Sequence, residues 1–250
     1  MHLRRPTLVL AMLSLVAASL LVGARPAAGA SPICVGIVLN LELPMPGPDE
    51  GFEVEHVVNA DCTITASAVR LIPASKALAD AGVTGQMRKT HFKRIGSTQR
   101  HLDPDYHVNS IAWDCCGVQM TRLVTDLTWT EDGTNVTGWN AGGYQAYHAE
   151  FTCLGDPDGW YPVTGYLIND IGGTGSTVVG VHSHHEWGYR GFFDLCGGST
   201  FYNVFDNYVR GYGNGSAGCA FSDSIRATKP GFHIVSQCYN PVITIRDDQF

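Results

Sequence analysis

The sequence predicts a mainly β protein, an antiparallel sandwich or barrel held by disulfides, with a small N-terminal section containing one short helix. Three observations predict it. From Tyr106 onward, short apolar–polar alternations recur between Gly-rich turns without an intervening helical period. The eight cysteines follow an export-type leader, and thiols in an oxidising compartment pair. A length of 250 residues, 29 of them glycine, suits one large β domain after the leader is removed.

The leader is Met1 to Ala30. Arg4 and Arg5 precede an apolar run from Leu8 to Val22, and Ala28-Gly29-Ala30 fits a signal-peptidase site, so the mature chain is expected to begin at Ser31 outside the cytoplasm. That run is shorter than the ~20 residues a spanning helix needs. The mature form is therefore expected to be secreted, with no membrane partner. Loss of Arg4, Arg5 and Arg25 lowers Lys plus Arg from 16 to 13 against 23 acids, so the formal charge moves from −7 to −10. An acidic surface of this kind argues against nucleic acid as a partner.

Ile33–Leu43 and Phe52–Val69 read as strands around a loop holding Pro44, Pro46, Gly47 and Pro48. Pro73–Ala81 reads as the one helix, begun near Ser75 and stopped by Gly82. Arg88, Lys89, Lys93, Arg94 and Arg100 follow with no acid between Ala81 and Leu102, which reads as a solvated connector. This places a division near residue 104: a section over 31–104 and a disulfide-stapled β domain over 105–250.

Within the β domain, Thr121–Thr130 puts Leu123, Leu127 and Trp129 on one face and Arg122, Asp126 and Thr128 on the other. Glu131-Asp132-Gly133-Thr134 is a hairpin turn, with Asn135–Asn140 returning beside it. Tyr144–Cys153 alternates with His148 and Glu150 outward, and Trp160–Ile168 follows the turn at Asp156-Pro157-Asp158-Gly159. Val178–Phe193 carries Val179, Val181, His185, Trp187 and Tyr189 on one face and His182, His184, Glu186 and Arg190 on the other. Phe201–Tyr212, Phe232–Cys238 and Val242–Arg246 complete the strands.

Cys34 and Cys62 are the only cysteines before residue 104 and are expected to pair. Cys115, Cys116, Cys153, Cys196, Cys219 and Cys238 then staple the remainder, in a connectivity that spacing leaves open. No CxxC pair suggests a redox or zinc site.

Two constellations carry candidate chemistry. In His182-Ser183-His184-His185-Glu186, a strand period of two sends His182, His184 and Glu186 to one side, where two imidazoles and a carboxylate suit a transition metal; His148 on a neighbouring strand could complete the set. The competing reading is a polar strand face that happens to hold histidines. The second constellation is aromatic, drawn from a supply that includes Tyr144, Trp160, Tyr166 and Tyr189. On Phe201–Tyr212, Tyr202, Tyr208 and Tyr212 share a side with Asp206 and Arg210, a face suited to stacking and hydrogen bonding a sugar; the competing reading packs the rings with their polar tips outward. Glu150, Glu186, Asp194 and Asp206 are the acids a carboxylate-based hydrolase would draw on.

Familiar nucleophile and phosphate motifs are absent. Asn214 stands where a GxSxG elbow needs its first glycine, and Gly172-Gly173-Thr174-Gly175 has no following Lys or helix. The leading expectation is a secreted, non-catalytic β protein that binds extracellular carbohydrate or joins a surface assembly with another secreted protein, and needs no cofactor. The alternative is a secreted enzyme, either metal-dependent through His182, His184 and Glu186 or a carboxylate hydrolase.

Overall fold

The computed structural model describes residues 34–82, 87–98, 104–113, 117–151, 157–190, 201–228 and 230–241. The leader, Cys115, Cys116, Cys153, Cys196, Asp194 and Val242–Arg246 lie outside the described residues.

Fourteen strands and one helix follow in chain order: β1 (Cys34–Pro44), β2 (Glu50–Val58), β3 (Ile64–Ala66), β4 (Arg70–Pro73), α1 (Ala74–Ala81), β5 (Met87–His91), β6 (Ile95–Gly96), β7 (Asp105–Trp113), β8 (Gln119–Glu131), β9 (Val136–Phe151), β10 (Pro157–Gly172), β11 (Val178–Arg190), β12 (Phe201–Tyr212), β13 (Ala217–Thr228) and β14 (His233–Tyr239). They form an antiparallel, sandwich-like pair of sheets. One sheet has the order β1-β13-β12-β11-β10; the other runs β9-β8-β7-β14-β2-β3, with β4 on β2 and β5 and β6 on β9. The layers meet along one side, where Pro157–Gly159 of β10 pairs with Ala149–Phe151 of β9. Strands from before and after residue 104 share both sheets, since β1 pairs with β13 and β2 with β14.

Local chemistry explains the hairpins. At the β8–β9 turn, Gly133 takes φ +89 and the Asp132 carboxylate accepts the Thr134 and Asn135 amides at 3.0 and 2.7 Å. The β12–β13 turn repeats the device, with Gly215 at φ +80 and the Asn214 side chain accepting the Ser216 amide.

The facing sides pack Val181, Trp187, Phe205, Val209, Phe221 and Ile225 against Val108, Leu123, Leu127, Trp129 and Ile234, all buried. Each such side chain contributes about 1.5–3 kcal/mol of transfer energy. Polar groups fix the register of one layer on the other. Asn207 of β12 donates to the Leu123 carbonyl at 3.1 Å and the Val108 carbonyl at 3.4 Å and accepts from Ser110 Oγ at 2.6 Å. Thr125 and Ser183 share a further hydroxyl contact between the layers. β12 is thereby anchored to β7 and β8, and its opposite face is left to solvent.

The second sheet is covered on both faces. Asn109 donates to the Ala77 carbonyl, Tyr144 to that of Ala81 and Arg122 to that of Gly82, so sheet side chains cap the carbonyl end of α1. Arg94, on the segment after β5, pairs with Asp126 at 2.9 Å. Arg122 and Asp126, the polar alternates of β8, are consequently buried at 1% and 3% exposure. The helix starts and stops where Pro73, Ser75 and Gly82 predict. Phe52–Val69 holds two strands, β2 and β3, where one strand is expected. The break falls at a turn in which Cys62 takes φ +66 and donates to the Asn59 carbonyl.

Two disulfides occur among the described residues. Cys34–Cys62, the expected pair, and Cys219–Cys238 have Cα separations of 5.2 and 6.5 Å. Cys219–Cys238 joins β13 to β14 and so ties one sheet to the other; Cys34–Cys62 ties β1 to the turn after β2. No described helix is long and apolar enough to cross a membrane.

Candidate metal centre

The outer face of the first sheet presents alternate residues of β10, β11 and β12. Register decides which of them meet. On β11–β12, His184 is opposite Asp206 and His182 opposite Tyr208; on β10–β11, Tyr166 is opposite His184 and Ile168 opposite His182. Because His182 and His184 are two residues apart, they stand side by side along β11 and both reach one carboxylate on the next strand. Asp206 Oδ1 accepts from His182 Nε2 at 2.6 Å and from His184 Nδ1 at 2.8 Å.

Two stacked rings brace the triad. Tyr208 lies against His182 at 4.3 Å between centroids and 11°, and Tyr166 against His184 at 4.9 Å and 16°. One face of each tyrosine is thus occupied by a histidine, a face that a sugar ring would otherwise take. The triad is only partly open to solvent, with side-chain exposures of 12%, 18% and 18% for His182, His184 and Asp206. Burial alone would raise the Asp206 carboxyl; the hydrogen bonds from His182 and His184, with their charge, outweigh it and hold the group below its ordinary value. Burial, then the charge of Asp206, pushes the Tyr208 hydroxyl up.

The chemistry of this donor set fits a metal. One ligand atom from each of His182, His184 and Asp206 lies within 4.8 Å of the others. Tetrahedral ligands about 2.0–2.1 Å from a metal are roughly 3.3 Å apart, so the two histidine–carboxylate contacts, at 2.6 and 2.8 Å, would open by about 0.7 and 0.5 Å, while the two imidazole nitrogens lie within 4.8 Å of each other. Two imidazoles and a carboxylate suit zinc, copper, iron or nickel.

Other candidate residues fall elsewhere. Glu186 shares the face but turns to Arg226, 3.3 Å away. His148 is on β9 of the other sheet, opposite Met87 of β5. Tyr202, Arg210 and Tyr212 follow the line of β12 on either side of Asp206 and Tyr208, with the Arg226 guanidinium 5.5 Å from the Tyr202 ring. The geometry therefore merges two residues from each sequence constellation, the histidines of one with Asp206 and Tyr208 of the other. Tyr166 joins them through a register that sequence does not print.

On the inner face, Asp223 of β13 takes a hydrogen bond from the Asp206 backbone. Burial, reinforced by the Asp206 charge, raises its carboxyl well above the ordinary value.

Fold and site together define a disulfide-crosslinked β sandwich with a His-Asp-His centre on one outer face. Comparison of the chain with family models, with curated proteins and with solved structures finds no match.

Proposed function

We propose that this is a secreted protein that binds a divalent transition metal through His182, His184 and Asp206, and that binding, not catalysis, is its role. The observation that carries the reading is the convergence of two imidazole nitrogens on one carboxylate oxygen at 2.6 and 2.8 Å, on a face otherwise free to be simply polar. Secretion is supported by the export-type leader in the sequence and by the two disulfides, which persist in oxidising compartments.

Metal analysis of the purified mature protein after exposure to Zn²⁺ and gel filtration tests it. About one equivalent is expected in the parent and none in the His182→Ala, His184→Ala double variant. Asp206→Asn, which keeps the shape and removes the charge, is expected to weaken binding at least about tenfold. A parent protein that retains no metal would overturn the reading.

A further inference from the structure

We infer that the metal centre takes, as its exogenous ligand, a carboxylate carried on an aromatic or other apolar body. The inference rests on the metal reading above. Charge gives the first half. A divalent ion held by two neutral imidazoles and one carboxylate keeps a net charge of +1, and three protein donors leave at least one coordination position open. All three donors rise from the sheet, so the open position faces solvent, in a setting partly withdrawn from water where an anion is held more strongly than in bulk. On this face Arg226 is engaged with Glu186, and Arg210, two residues beyond Tyr208 on β12, adds to the positive field that draws an anion.

The flank gives the second half. Directly across from His182 on β10 is Ile168, 44% exposed, and across from His184 is Tyr166, 41% exposed. Large apolar side chains left open beside a polar triad are matched by an apolar ligand body and are of no use to a hydrated inorganic anion. A carboxylate bound at the metal places its substituent over this strip, while Tyr208 walls the β12 side.

Calorimetry on the Zn²⁺-loaded mature protein, with benzoate, acetate and benzyl alcohol as probes, tests the idea. Benzoate is expected to bind about tenfold more tightly than acetate, the worth of roughly 55 Å² of apolar contact. Benzyl alcohol and the metal-free protein should show no binding. Ile168→Ser should erase the preference for benzoate over acetate, and Ile168→Phe should enlarge it, with one zinc retained in both. Equal affinity for benzoate and acetate in a protein that holds its zinc would overturn this inference and leave the metal reading intact. Benzoate binding that persists without zinc would also overturn it. Failure to load zinc would defeat both.

Discussion

His184 and His185 are neighbours in sequence and meet opposite environments, because successive side chains of a strand point to opposite faces. His184 joins the outer triad. His185 turns into the sandwich at 4% exposure, against Trp187 at 4.3 Å, with neither ring nitrogen hydrogen-bonded. Burial, with a smaller contribution from the charge of His184, pushes its value down from 6.5 to about 3. In the unfolded chain His185 takes a proton near 6.5, but in the fold only near 3. Between those values the unfolded state holds the extra proton, so acidification favours unfolding. The stability is whole above pH 6.5 and drains as pH falls towards 3, by at most about 5 kcal/mol. Urea midpoints measured from pH 7 to 4.5, above the range in which Asp206 titrates, should fall steeply for the parent and more gently for His185→Leu. Parallel slopes would show that the buried imidazole is not responsible.

At the scale of elements, the site depends on β10 lying flush against β11, and one glycine makes that possible. Gly165 is opposite His185, and a Cβ there would run into the imidazole ring. Gly165→Ala must displace either the ring or the strand that carries Tyr166 and Ile168, at a cost of about 1–3 kcal/mol. His182, His184 and Asp206 belong to β11 and β12, so the variant should still load one zinc while its urea midpoint falls. Unchanged stability would mean that β10 stands further from β11 than the pairing indicates. The alternation on β11 is readable from sequence, because period two needs only Val179, Val181 and Trp187 to mark the inner face. What period two cannot supply is register. Ten residues separate β11 from β12, too long a connection for its Gly197-Gly198 turn signal to set Asp206 opposite His184, so the histidines and their carboxylate appear in sequence as unrelated features. β13 leaves still less trace, because Ala217-Gly218-Cys219-Ala220 offers small residues where a strand pattern needs bulky ones. The burial of Arg122 and Asp126 is likewise invisible, since it depends on α1 and the Arg94 segment folding back over the sheet from distant positions.

Across the whole molecule, two sheets that pair edge to edge over only a few residues of β9 and β10 are kept together by packing, by Asn207 and its neighbours, and by the disulfides. Cys219 and Cys238 are both buried and are separated by 19 residues, so their bond removes freedom chiefly from the unfolded chain, worth about 3 kcal/mol. Cys219→Ala with Cys238→Ala, made together so that no lone thiol remains to mispair, should lower the melting temperature by about 6–12 °C for a chain of this size. The same variant should keep its zinc, because β11 and β12 hold the triad by pairing within one sheet and do not need the bond to β14. Reduction of the parent also opens Cys34–Cys62 and should therefore cost more than the double substitution. A parent whose melting temperature is indifferent to reduction would show that packing and Asn207 alone hold the layers, and a double variant that loses zinc would show that the outer face is shaped by the crosslink beneath it.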